Sequence, residues 1–188
     1  MSGQRVCPWW MGYFLASSFR RQKQNPEEIL GPYVKQGMTA LDVGSAMGFF
    51  TLPLAKMVGR EGRVIAVDLQ ERMIRSLRRR AERAGLAERI QTRVCSSTSL
   101  QIDNLAGSVD FALAFAVMHE VPDTAAAIRS ITKSLKDGGV FLLAEPAKHV
   151  SAEGFRQTSN TALQQGLEIV TNPLIWHSHA AVLRKPTT

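Results

Sequence analysis

Short apolar runs alternate with longer stretches of helical period along most of the chain. "TALDV" (39–43) and "RVIAVD" (63–68) have strand length, and helical patterns follow each: "FTLPLAKMVG" (50–59) and an arginine-rich helix stopped at Gly85. A third strand is read at "RIQTRVC" (89–95) and a fourth, very apolar one at "SVDFALAFA" (108–116). A helix at "TAAAIRSITKSLK" (124–136) is stopped by "DGG", and a fifth strand, "VFLLAEP" (140–146), follows. "AEGFRQTSNTALQQG" (152–166) reads as a helix, and the tail supplies two more strands, at about "LEIVTNPLIW" (167–176) and "HAAVLRK" (179–185). Near-continuous apolar strands separated by helices predict an α/β protein with a parallel sheet covered on both faces. Ligands bind such a sheet at the carboxyl ends of its strands, where Asp42, Asp68, Cys95, Ala114 and Glu145 fall.

The chain has no internal repeat or long linker, and 188 residues are read as one domain, 1–188. Its net charge of +7 is unevenly placed, because "ERMIRSLRRRAER" carries six arginines between Arg72 and Arg83. An acidic partner such as RNA would suit that run; so would a solvated helix face with Met73, Ile74 and Leu77 buried. The second reading is preferred, since no aromatic residues interleave with the arginines to stack on bases. Cys7 and Cys95 stand far apart, which suits a reducing cytoplasm rather than a disulfide framework or zinc. The apolar start runs from Pro8, Trp9 and Trp10 into Arg20, Arg21 and Lys23, without a small-residue cleavage site, and is too short to span a bilayer. It reads as a docked N-terminal helix, with an interfacial helix as the alternative.

"ALDVGSAMGFF" (40–50) carries the candidate chemistry. A phosphate-cradling P-loop needs Gly-Lys-Ser/Thr entering the helix, but Phe49 follows Gly48. The dinucleotide fingerprint needs glycines at the first, third and sixth positions; counted from Gly44, the third is Ala46 and the sixth Phe49. Pro53 is tolerated only in a first turn, so the helix should begin no earlier than about Phe49, leaving 44–48 as loop.

"DVGSAMG" resembles the Asp/Glu-x-Gly-x-Gly-x-Gly motif of class I S-adenosylmethionine-dependent methyltransferases, with Ala46 at the middle glycine. Asp68 at the next strand end and "MHEVPD" after the fourth strand extend the resemblance, which covers roughly residues 26 to 185 and is nearest to the small UbiE-like domains. It implies a Rossmann-like, doubly wound, seven-stranded sheet in the order 3-2-1-4-5-7-6, mostly parallel with the last strand antiparallel. It implies S-adenosyl-L-methionine as cofactor, with Asp42 accepting from the methionine ammonium and Asp68 from both ribose hydroxyls. The loop residues Gly44, Ser45, Ala46 and Gly48 would surround the ligand, and Leu69 is counted among the cofactor-binding residues. Ser96 takes the position near the adenine amino group, and Ala114 and Phe115 lie along the methionine portion.

Methyl transfer of this kind needs no metal and no covalent nucleophile, only a base where the acceptor arrives protonated. His119 and His149 are the candidate bases, with Glu120 and Glu145 beside them on the acceptor side; no metal site is expected. Residues 1–25 are read as a helical lid, in which Trp9, Trp10 and Tyr13 cover the cofactor and shape an apolar acceptor pocket. The expectation is a small-molecule methyltransferase. An RNA methyltransferase using the basic helix, or a non-catalytic binding subunit, are the alternatives.

Overall fold

A computed structural model describes residues 22–187. Seven strands form one sheet in the order β3-β2-β1-β4-β5-β7-β6. They are β1 (Thr39–Val43), β2 (Arg63–Asp68), β3 (Ile90–Val94), β4 (Val109–Phe115), β5 (Leu135–Pro146), β6 (Glu168–Thr171) and β7 (Ser178–Arg184). The first five pair in parallel, while β7 runs antiparallel to both β5 and β6. The predicted order and the reversed last strand are both present.

Strand alternation sorts the side chains into two layers. Leu41, Val43, Ile65 and Val67 face one side, with Ile128 and Ile131 of α4 (Thr124–Ser134) and Phe155 and Ala162 of α5 (Ala152–Gln164). Ala40, Val64, Phe111 and Leu142 face the other, with Leu30 of α1 (Pro26–Leu30) and Leu54 and Ala55 of α2 (Thr51–Met57). On α3 (Glu71–Arg83) the stripe Met73, Ile74, Leu77 and Ala81 is buried at helical spacing. Leu77 and Ile74 pack on Ala66 of β2. Each such aliphatic side chain contributes about 1.5–3 kcal/mol by leaving water, which accounts for the helix without any partner for its arginines.

Three boundaries differ from the sequence reading. Helix α4 ends at Ser134 rather than Lys136, because Leu135 already pairs with Val109 of β4. The register then shifts before Val140 pairs with Phe111, so β5 starts five residues before the predicted "VFLLAEP" and takes in "DGG". Strand β6 covers only Glu168–Thr171, and Pro173, which has no N–H for a ladder, stands two residues further on. Helix α2 starts at Thr51 and so keeps Pro53 in its first turn, as expected. Among the described residues no helix is long and apolar enough to cross a membrane. Trp9, Trp10 and Tyr13, and most of the lid read over 1–25, lie outside the described residues.

Candidate active site

The carboxyl ends of β1, β2 and β4 open onto a cavity of about 200 Å³. Asp42, Gly44, Ser45 and Ala46 form one wall, Asp68 and Leu69 the next, and the segment 95–100 a third. Phe115, Ala116, Val117 and Glu120 close the side beyond β4. Gly48 does not line the cavity, and Ala114 is fully buried within β4, paired in register with Val43.

Asp42 is buried at the end of β1, where Thr51 Oγ1 donates to its Oδ2 at 2.6 Å. That bond ties the strand end to the first residue of α2. Between them the backbone alternates into left-handed conformations at Gly44 (φ +75°), Ala46 (φ +46°) and Gly48 (φ +87°). The N–H groups of Gly44 and Ser45 both donate to Val67 O, at 2.8 and 3.0 Å, which folds the turn back over β2. The close approach that Gly44 permits is to Val117: a Cβ there would stand 2.5 Å from Val117 Cγ2. Arg80 reaches from α3 and donates from Nη1 to Met47 O at 2.6 Å, bracing the far side of the loop.

Ala46 occupies the middle position of the motif and still takes a glycine's conformation. An L-residue held there costs roughly 1–2 kcal/mol, partly offset by the smaller unfolded-state freedom of alanine. Ala46→Gly is therefore expected to leave thermal stability unchanged or raise it by up to about 1 kcal/mol. A clear fall in melting temperature would show that the alanine methyl makes a needed contact.

Asp68 holds the turn from the other strand. Its Oδ2 accepts from Ala46 N and its Oδ1 from Gln70 N, both at 2.8 Å. Burial pushes its pKa up, while those two N–H groups pull it down. A carboxylate offers about four acceptor positions, so two remain for a vicinal diol in the cavity. Ser45 Oγ is buried and has no hydrogen-bond partner among the described residues, leaving a polar atom at the turn that the chain does not satisfy. Spare acceptor capacity on Asp68 and this orphaned hydroxyl fit a polar ligand that carries a vicinal diol, as S-adenosylmethionine does.

Ser96 is exposed and its hydroxyl accepts from Ser99 N at 3.0 Å, so it organises the turn as well as lining the cavity. Its neighbour Cys95 also lines the cavity, and its thiol is pushed up to about 11, first by burial and then by the Asp68 carboxylate. From a usual 9.0, the thiolate fraction near neutrality falls about 100-fold. Alkylation of the Cys95 peptide by iodoacetamide at pH 8 is expected to be slower by about that factor than for an ordinary thiol. A rate equal to that of a free thiol would contradict this environment.

The predicted bases come together beside this cavity rather than on its wall. His119 lies on the 3-10 turn Met118–Glu120, where Nδ1 meets Glu145 Oε2 and Nε2 lies 3.9 Å from Glu120 Oε1. His149 stacks parallel on its ring, with centroids 5.8 Å apart. Glu145, expected on the acceptor side, is 1% exposed, and its Oε1 instead accepts from Val117 N and Met118 N. The Glu145 hydrogen bond raises the His119 pKa, more than burial lowers it. A histidine that binds its proton more tightly when folded stabilises below its unfolded value of about 6.5, and that stability is lost as pH rises through the folded value. Relative to His119→Gln, the wild type should therefore lose melting temperature between pH 6 and 8; parallel profiles would contradict the ion pair. Among the described residues no group of three or more His, Cys, Asp or Glu is arranged to hold a metal ion.

The sheet order, the glycine turn after β1 and the acid after β2 are the arrangement that the resemblance to class I S-adenosylmethionine-dependent methyltransferases implied. The family described as a methyltransferase domain matches residues 34–177, and the chain belongs to that family. A ubiquinone biosynthesis O-methyltransferase of Paramagnetospirillum magneticum is 33% identical over 129 residues, covering 69% of this chain and 48% of that protein. A ubiquinone/menaquinone biosynthesis C-methyltransferase of Idiomarina loihiensis is 30% identical over 119 residues, covering 63% and 47%. The chain thus spans about half the length of these curated relatives. A SAM-dependent methyltransferase from Aquifex aeolicus shares the fold with a TM-score of 0.84 at 21% identity, over 95% of this chain and 98% of that one. The [4+2]-cyclase SpnF shares it at 0.73 and 17%, over 86% and 80%.

Proposed function

We propose that this protein moves a methyl group from S-adenosylmethionine directly, in line, to a small-molecule acceptor in the cytoplasm. The observation that carries the reading is one cavity that gathers Asp42, the 44–46 turn and Asp68, with His119 and Glu120 at its margin. The curated relatives named above, titled for ubiquinone and menaquinone biosynthesis, support a small acceptor methylated on carbon or oxygen. The two widely spaced cysteines support the compartment.

When bound, S-adenosylmethionine supplies an electrophilic methyl on a sulfonium. Asp68 would accept from the ribose hydroxyls and Asp42 from the methionine ammonium. Ser45 and Ala46 would line the methionine portion, Phe115 the wall opposite, and Ser96 the adenine side. Phe49, Phe50 and Phe115 keep water from the reacting end. His119, backed by His149, takes the acceptor's proton at Nε2. The basic helix is left out of this chemistry. Arg75 lies 3.9 Å from Glu71, Arg78 bonds Thr92 and Arg80 bonds Met47 O, so these side chains already serve the fold.

The test is transfer rather than fold, because a [4+2]-cyclase shares this sheet. The protein is incubated with methyl-labelled S-adenosylmethionine and a fractionated cell extract. Label in a small-molecule fraction is the expected result. Label confined to RNA, or none transferred, would overturn it.

A further inference from the structure

We propose that Glu145 is the positioning residue of this site: its one buried carboxylate fixes the His119 ring as an Nε2 base and, through Val117, holds the wall against which the cofactor turn packs. The inference rests on the methyl-transfer reading above and deepens it.

Glu145 stands near the end of β5, paired in register with His179 of β7, and is 1% exposed. A carboxylate so deep is costly unless its oxygens are satisfied. Here Oε1 accepts from Val117 N at 3.2 Å and from Met118 N at 2.7 Å, and Oε2 meets His119 Nδ1. An ionised carboxylate only accepts, so the neutral imidazole carries its hydrogen on Nδ1 and keeps the lone pair on Nε2. Nε2 lies 3.9 Å from Oε1 of Glu120, which lines the cavity. His149 stacks on the ring within 4° of parallel and fixes its plane. A proton leaving the acceptor arrives at Nε2, and the positive charge it makes faces Glu145.

The same carboxylate reaches the cofactor side. Val117, held by its N–H, places its side chain where a Cβ on Gly44 would be 2.5 Å away. The strand end, the turn carrying the base and the glycine turn are therefore linked through one group. Among the described residues, the titratable groups around the imidazole are Glu145 of β5, Glu120 on its own turn and His149 after β5.

Two substitutions separate the tasks. In Glu145→Gln the single amide oxygen can still accept from Val117 and Met118, but its NH2 then faces Nδ1, which drives the imidazole hydrogen to Nε2. In Glu145→Ala both tasks are lost. The full chain with 15N-labelled histidine is titrated by NMR, and binding of S-adenosylhomocysteine is measured by calorimetry. The wild type is expected in the Nδ1–H tautomer, with His119 titrating above an ordinary histidine. Glu145→Gln should show the Nε2–H tautomer and a lower titration, with affinity reduced less than about threefold; Glu145→Ala should lose about tenfold in affinity. A wild type already in the Nε2–H tautomer overturns the proposal without any variant, as does an unchanged His119 in Glu145→Gln. Absence of S-adenosylhomocysteine binding to the wild type would instead strike the cofactor reading, and the tautomer result would stand apart from it.

Discussion

Asp68→Ala is expected to lower affinity for S-adenosylhomocysteine by about 100-fold. Two hydrogen bonds from ribose hydroxyls to a carboxylate are lost, each worth about 1.5–3 kcal/mol before solvent takes back a share. The variant also frees the N–H groups of Ala46 and Gln70, both held at 2.8 Å by the carboxylate, so the turn loses its anchor to β2. Asp68→Asn should be nearly as damaging. Asparagine has one acceptor oxygen for two backbone donors, and its NH2 must face one of them. Calorimetry at pH 7.5 checks both, with circular dichroism to establish folding; affinity within threefold of wild type would contradict the role. The pH dependence has a definite sign. Burial raises the Asp68 pKa above 3.8, so the carboxyl regains its proton at a higher pH than an exposed one. Ligand affinity should fall as pH drops toward that raised value. Stability runs the other way: the folded state holds this proton more tightly, so ionisation costs stability as pH rises from 3.8 through the folded value.

Gly44→Ala should have the largest effect on stability. The left-handed backbone costs an alanine about 1–2 kcal/mol, and the new methyl would overlap Val117, whose Cγ2 and Cβ would lie at 2.5 and 2.7 Å. Overpacking of this kind costs typically about 1–3 kcal/mol more, and at this chain length the sum lowers the melting temperature by about 5–15 °C. Gly85→Ala is the matched control: its φ is +65°, but a Cβ there meets nothing within 4 Å, so only the backbone cost applies. Adding Val117→Ala to Gly44→Ala removes the nearest methyl and should recover part of the loss. Equal destabilisation at Gly44 and Gly85 would contradict the packing of the turn against Val117.

The strands were legible in the sequence because each central one is a compact apolar run bounded by a turn, and the order came through the resemblance carried by "DVGSAMG", Asp68 and "MHEVPD". The end of α4 was harder to read, since "SLKDGG" has a good helical stop while pairing of Leu135 with Val109 is a tertiary fact. Candidates close in sequence to a strand end were also legible: Asp42, Ser45, Ala46, Asp68, Leu69, Ser96, Phe115 and Glu120 all line the cavity. Contacts that cross between elements were not. Arg80 bracing Met47 O sits in a run that reads as a solvated face, and no sequence signal marks Thr51 as the donor to Asp42. Glu145 was placed near the acceptor because it ends a strand, yet the pleat turns it inward, where backbone donors and His119 take both its oxygens. Cys95 was noted at its strand end; its position beside Asp68 follows from β3 lying next to β2, which spacing alone does not show.

The central claim is that two buried carboxylates at neighbouring strand ends hold opposite ends of one adenosine-containing ligand. A crystal structure of the protein with S-adenosylhomocysteine tests this most directly. The account predicts both ribose hydroxyls within hydrogen-bond reach of Asp68, the amino group toward Asp42 and the thioether between the 44–46 turn and Phe115. A ligand seated elsewhere, or one whose ribose leaves Asp68 bonded only to Ala46 and Gln70, would contradict it.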